Sequence, residues 1–311
     1  MSVAYIFPGQ GSQYAGMGKD LAENFPAARR VFEKADEALG FPLSRLCFDG
    51  PAAELQLTEN TQPAILASSI AAGEALKESG ALAPAYVLGH SLGEYSALVV
   101  SGALAFADAI KIVRARGRYM QEAVPVGTGA MAAVLGATLP DIESACAEAS
   151  QGEVCAPANI NSPNQVVIAG HLAAVDRAGE LLKTQGAKKV VKLNVSAPFH
   201  CSLMLPAQLR LAADLDETAF AELKLPLVTN VDAQILYGSG AAARDALVRQ
   251  VSSPVRWLAS IELLIAQGVT TFVEVGPGKV LTGLLRQISR EVKSFNVENA
   301  ATLKAALEGL T

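Results

Sequence analysis

Residues Tyr86-Val87-Leu88-Gly89-His90-Ser91-Leu92-Gly93-Glu94 set a Gly-X-Ser-X-Gly pentapeptide between a short apolar run and a small-residue helical pattern. Strand, sharp turn and helix in that order make a nucleophile elbow, in which the turn holds a serine hydroxyl off the end of a sheet. The pattern predicts a short strand over 85–89, a helix from about Gly93, and an exposed Ser91 hydroxyl between them. Glycines at 89 and 93 leave space for so tight a turn. The N–H of Leu92, at the start of the helix, is placed to donate to an oxyanion.

The flanking sequence supplies the sheet and its cover. Residues 2–7 read as a buried strand stopped by Pro8-Gly9, and 27–39, 61–79 and 106–123 as helices. Short apolar runs alternating with longer helical patterns predict an α/β fold with a mostly parallel sheet. Over 129–195 the order changes to strand, helix, two strands around Asn161-Ser162-Pro163-Asn164, helix and a last strand over 187–195. That is the βαββαβ order of a ferredoxin-like unit. The expected division is a discontinuous large subdomain, 1–125 and 198–311, and a small inserted subdomain, 126–197, with Pro125 and Pro198 near the hinges. The α/β alternation then resumes, with strands over 225–229 and 271–275 and helices around 242–251, 257–267, 279–288 and 302–310.

Composition narrows the function. The 311 residues are 51% hydrophobic and 18% charged, with a formal net charge of -5. Disorder is excluded, and no global positive field exists for nucleic acid. The mean hydropathy of +0.30 comes from Ala, Val and Leu, the residues of a buried parallel sheet and its helices. No apolar stretch of 18 or more residues is free of charges and turn signals, so no membrane-spanning helix is expected. The start, MSVAYIFPGQGSQ, has no signal-peptide pattern. Cys47, Cys146, Cys155 and Cys201 form neither a metal-ligand spacing nor a disulfide framework. A cytoplasmic protein without a metal is expected.

A serine hydroxyl needs a base, and the chain has three histidines. His90 adjoins Ser91 and points the other way. His171 starts a helix in the small unit. His200, in Ser196-Ala197-Pro198-Phe199-His200-Cys201, lies where the small unit returns to the large one, and by elimination is the base. No acid between 92 and 199 advertises itself as a third member. A Ser–His dyad is expected, its imidazole held by a backbone carbonyl or an amide.

The helix beginning at about Phe106 carries an arginine out of phase. At about 100° per residue, Lys111, Arg114 and Arg118 share a solvated face. Arg116 falls among Ala109, Ile112, Val113 and Met120. A charge on an apolar face needs a carboxylate, from an acid of the chain or from a substrate. A guanidinium fits a carboxylate bidentately, and with a nucleophilic serine this points to an acyl group bearing a free carboxylate.

These residues resemble the malonyl-CoA:acyl-carrier-protein transacylases, relatives of the acyltransferase domains of polyketide synthases. The resemblance runs through Phe7-Pro8-Gly9-Gln10-Gly11-Ser12-Gln13, Thr61-Gln62-Pro63-Ala64, Gly89–Glu94, Arg114-Ala115-Arg116-Gly117, Asn159-Ile160-Asn161-Ser162-Pro163, Phe199-His200 and Glu274-Val275-Gly276-Pro277-Gly278. It implies a hydrolase-like core with a ferredoxin-like insertion. It implies Ser91 as nucleophile, His200 as base, Arg116 as the clamp on the malonyl carboxylate, and the N–H groups of Gln10 and Leu92 as oxyanion hole. It implies further that a carbonyl of Gln250 orients the histidine and that Asn161 and Gln62 line the cleft. Phe199 before the histidine goes with malonyl rather than methylmalonyl, a steric preference worth about 1–3 kcal/mol. The implied reaction is ping-pong transfer to the phosphopantetheine thiol of acyl carrier protein for fatty-acid biosynthesis, with no bound cofactor. Service to a polyketide synthase is the alternative within the family. A serine esterase or thioesterase is the rival outside it, as is a non-catalytic malonyl-CoA-binding module. Acyl carrier proteins are acidic, so docking on this acidic chain needs a local basic patch. Lys188, Lys189 and Lys192, or Arg286 and Arg290, are the candidates.

Overall fold

Phe7 ends the first strand beside Gly89, and this pairing puts the elbow at the carboxyl edge of a parallel sheet. The computed structural model describes residues 2–195 and 197–310. Ser196, in the return segment quoted above, and the two terminal residues lie outside them. The strands are β1 (Val3–Phe7), β2 (Tyr86–Gly89), β3 (Gly129–Leu135), β4 (Cys155–Ser162), β5 (Gln165–His171), β6 (Lys189–Lys192), β7 (Leu223–Val228), β8 (Ile235–Gly238), β9 (Thr271–Val275) and β10 (Lys293–Val297).

Six of them form a sheet in the order β10-β9-β1-β2-β7-β8, parallel except for β8 at one edge. β1 reads as an unbroken apolar run, and β9, although it carries Thr271 and Glu274, is buried along its whole length, because helices cover both faces. Ala4, Ile6, Leu88 and Phe272 pack against Trp257, Ile261 and Leu285. Tyr5, Phe7, Val87 and Val273 face the other way, into a core shared with helix Thr58–Glu78.

The remaining strands form a separate antiparallel sheet, β4-β5-β3-β6. Helices Leu139–Ser150 and Leu172–Thr184 cover one face, where Val134, Ile168, Ile142 and Leu182 meet. Met131, Ala133 and Val167 belong to the opposite face and join the main core. Because side chains alternate along a strand, both faces of β3 are apolar. The edge of β4 is stitched to the main body by Ile160 N–H donating to Val255 O at 2.9 Å and Val255 N–H to Ala158 O at 2.9 Å.

Several elements differ from expectation. The last strand of the small sheet spans only Lys189–Lys192 rather than 187–195. The hairpin strands reach further, leaving Pro163-Asn164 as the turn. β8 and β10, and helices Lys19–Asn24, Leu43–Asp49, Ala52–Leu55 and Leu205–Asp216, were not expected. β8 and β10 are edge strands, paired on one side only and mostly half-buried; β8 is a run of only four residues, Ile-Leu-Tyr-Gly, and β10 mixes Phe and Val with Lys, Ser and Asn. All four cysteines are buried free thiols. No helix among the described residues is long and apolar enough to cross a membrane.

Candidate active site

Three segments leave the carboxyl edge of the parallel sheet side by side: Pro8-Gly9-Gln10 after β1, His90-Ser91 after β2, and Thr229-Asn230 after β7. A crevice outside the strand ends is where open α/β sheets place ligands. His90 N–H donates to Phe7 O at 3.0 Å, and Ser91 follows with φ of 51°, in the left-handed region. A Cβ on Gly89 would lie 1.9 Å from the Gly93 carbonyl carbon, and one on Gly93 would lie 2.0 Å from Phe7 O. Glycine is therefore required at both positions by backbone approach. Asn230 braces the turn: its Oδ1 accepts from Ser91 N–H at 2.7 Å and its Nδ2 donates to Gly89 O at 2.6 Å.

His200 approaches from the return segment, also with positive φ (60°). Its Nε2 is 2.7 Å from Ser91 Oγ and its Nδ1 is 3.0 Å from the backbone oxygen of Gln250. A carbonyl can only accept, so Nδ1 carries the hydrogen and Nε2 is free to take one. Burial first, and then the charge of Arg116, lower the His200 pKa to about 3. The imidazole is neutral at physiological pH, as a base must be. His90 turns aside to Asn161 Oδ1 at 2.9 Å, and His171 Nδ1 accepts from Val154 N–H at 2.9 Å.

Arg116 is almost wholly buried at 2% exposure. Nη1 donates to Gln62 Oε1 at 2.7 Å, while Nη2 donates to Gln250 Oε1 at 2.9 Å and to Ser91 Oγ at 3.0 Å. No acid among the described residues forms an ion pair with it; its listeners are two neutral amides and one hydroxyl. Hydrogen bonds from a charged donor return about 1.5–3 kcal/mol each, against a desolvation cost of several kcal/mol per buried ion. The two are comparable, so the guanidinium is held charged yet remains receptive to an anion. Burial pulls its pKa below the ordinary value.

The cleft has a volume of about 110 Å³ and is walled by Gln10, Gln62, His90, Ser91, Leu92, Arg116, Met131, Asn159, Phe199 and His200, among others. The backbone N–H groups of Gln10 and Leu92 have no hydrogen-bond acceptor among the described residues, which suits donors waiting for an oxyanion. Asn161 is not on this wall. It lies behind His90, and Asn159 takes the wall position. Residues two apart share a face on a regular strand, but β4 is irregular between Pro157 and Asn159 and again between Ile160 and Ser162. Two further groups went unread in the sequence, Asn230 and the fully buried Glu94. Their only local signals are a polar residue straight after a strand and an acid in a helix's first turn. Among the basic candidates, Lys192 is paired with Asp176 at 2.7 Å, while Lys188, Lys189, Arg286 and Arg290 are exposed.

The chain matches the acyl transferase domain family over residues 4–306. It is 50% identical over 305 residues to the malonyl CoA-acyl carrier protein transacylase of Escherichia coli (strain K12), covering 98% of each chain. Its fold superposes with a TM-score of 0.96 and 48% identity on the crystal structure of an acyl carrier protein S-malonyltransferase from Vibrio cholerae, covering 98% of this chain and 100% of that one. A chain from the complex of a type II polyketide-synthase acyl-carrier protein with its malonyl-transacylase superposes with a TM-score of 0.97 and 47% identity, over 99% of this chain and 100% of that one. A serine elbow, a neutral histidine and an unpaired buried arginine thus stand in a chain that belongs to the acyl transferase family and, within it, to the malonyl CoA-acyl carrier protein transacylases.

Proposed function

We propose that this protein transfers the malonyl group of malonyl-CoA to the phosphopantetheine thiol of acyl carrier protein, through a malonyl ester on Ser91, for fatty-acid biosynthesis. The observation that carries the reading is Arg116, a buried guanidinium 3.0 Å from Ser91 Oγ that forms no ion pair with an acid among the described residues. The substrate's free carboxylate supplies the missing anion, with bidentate geometry available to it.

In the loading half-reaction His200 Nε2 takes the Ser91 proton as Oγ attacks the thioester carbonyl. The tetrahedral oxyanion rests on the Gln10 and Leu92 N–H groups. The carbon–sulfur bond breaks, and His200 returns the proton to the departing CoA sulfur. In the second half the carrier's thiol gives its proton to His200, attacks the Ser91 ester, and Ser91 leaves with that proton. Ester and thioester exchange without net redox change, so no bound cofactor or metal enters this scheme. Gln250 O fixes the imidazole tautomer, Gln62 steadies Arg116, and Phe199 narrows the space beside the acyl α-carbon.

The same reading takes 1–125 and 198–311 as the catalytic subdomain and 126–197 as the ferredoxin-like one, with the cleft between them, in a cytoplasmic protein. The exposed cations Lys188, Lys189, Arg286 and Arg290 are candidates for carrier docking, against ordinary solvated charges, with Lys192 secondary because Asp176 already neutralises it. The test is a panel of acyl-CoA donors offered with purified holo acyl carrier protein and read by mass. Malonyl-carrier should dominate. Equal use of acetyl and malonyl donors, or release of free acid with no carrier product, would favour an esterase or thioesterase instead.

A further inference from the structure

Glu94 lies in the first turn of the helix that follows the elbow, and its carboxyl group is entirely buried. It forms no ion pair among the described residues. Oε2 accepts from Gln250 Nε2 at 2.7 Å and from Asn230 N–H at 3.2 Å, while Oε1 has no partner among the described residues. The Gln250 amide also donates from Nε2 to Ser91 O at 3.0 Å and presents Oε1 to Arg116 Nη2 at 2.9 Å.

An amide side chain has one accepting end and one donating end. Turned over, Gln250 would aim its oxygen at the Glu94 carboxylate and the Ser91 carbonyl, and its N–H₂ at a guanidinium that cannot accept. Only one orientation satisfies all three neighbours. Of those acceptors the carboxylate binds the N–H₂ more strongly, being charged. Gln250 thus separates a buried anion from a buried cation, and the amide dipole is aligned with both.

We propose that Glu94 is a positioning residue: its carboxylate locks the Gln250 amide in the orientation that holds Arg116 over Ser91 Oγ, and so sets affinity for the carboxylate of the acyl group. The proposal rests on the malonyl reading above and deepens it. A residue that only braced the elbow would serve every acyl group alike; one that acts through Arg116 serves acyl groups with a free carboxylate.

The experiment compares loading of Ser91 from malonyl-CoA and from acetyl-CoA in wild type and Glu94→Gln, with active sites counted by fluorophosphonate labelling. A Gln at 94 can present either end of its amide, so the charged and strongest part of the lock is lost while the shape is kept. The malonyl KM should rise at least tenfold, with acetyl loading and labelling changed by less than about twofold. A second readout needs no variant. The groups facing Glu94 are Arg116, Tyr95 and Asp232, and burial holds its pKa up at about 7. In wild type the ratio of malonyl to acetyl KM should therefore rise as pH falls from 8 to 6, and in Glu94→Gln the ratio should be flat. Equal losses for both donors, or an unchanged malonyl KM with a flat wild-type ratio, would overturn the proposal. If the variant does not fold, the wild-type ratio decides. Wild type that loads malonyl no better than acetyl would instead remove the substrate reading itself, whereas equal discrimination by both proteins would remove only the role of Glu94.

Discussion

Arg116 Nη2 and Ser91 Oγ stand 3.0 Å apart, so one hydroxyl accepts from a guanidinium while it donates to His200 Nε2 at 2.7 Å. On the proposed reading, the guanidinium holds the substrate's carboxylate beside the reacting carbonyl. Arg116→Ala should lower kcat/KM for malonyl loading by about 100-fold or more, since a charged, desolvated bidentate contact is worth about 3 kcal/mol. Acetyl loading should fall by less than about tenfold. A stopped-flow comparison of the two donors checks this, and parallel losses would contradict it.

The base should stay competent in acid. An ordinary imidazole is half protonated at about pH 6.5. Burial and then Arg116 hold His200 at about 3, so its neutral form persists well below that point. Labelling of Ser91 by a neutral fluorophosphonate should change by less than about twofold between pH 8 and pH 5. A decline of about tenfold by pH 5.5 would mean that the imidazole titrates as it does in water.

Two glycines give opposite stability outcomes. In Gly93→Ala the new Cβ would meet Phe7 O at 2.0 Å, and Phe7 O cannot withdraw without parting β1 from the elbow. Chemical denaturation should show a loss of at least about 3 kcal/mol. Gly283, inside helix Val280–Ile288, has nothing within 4 Å of a built Cβ. Gly283→Ala should stabilise by about 0.5–1 kcal/mol through helix propensity. A tolerated Gly93→Ala would contradict the account of the turn.

Phe199 is buried beside His200 and forms part of the cleft wall. Phe199→Ser removes the ring that, on the proposed reading, narrows the space beside the acyl α-carbon. The preference for malonyl-CoA over methylmalonyl-CoA should drop by about tenfold, within the range expected for one methyl group against an apolar wall. Competition between the two donors, read by mass, checks it.

Much of the fold was legible because its constraints are local. The Gly-X-Ser-X-Gly turn needs particular residues within five positions, and the βαββαβ order follows from runs and breaks along 129–195. Arg116 stood out because a charge broke the helical phase of its own neighbours. What stayed hidden depends on distant pairing. Asn230 reaches Ser91 across 139 positions, and nothing near it marks it as part of a site; Glu94 stands in the elbow segment itself, but its partner Gln250 lies 156 positions away. The exchange of Asn161 for Asn159 on the cleft wall has a similar origin, since irregularities in β4 shift which side chains share a face. Edge strand β8 escaped notice because its apolar run is only four residues long, and β10 because Lys293, Ser294 and Asn296 interrupt its apolar residues.

The most direct test is intact and peptide mass of wild-type protein after brief exposure to malonyl-CoA, before and after addition of holo acyl carrier protein. One malonyl equivalent should appear on the peptide containing Ser91 and pass to the carrier when it is added. A catalytically active enzyme with no adduct on Ser91, or an adduct that the carrier leaves in place, would contradict transfer through this serine.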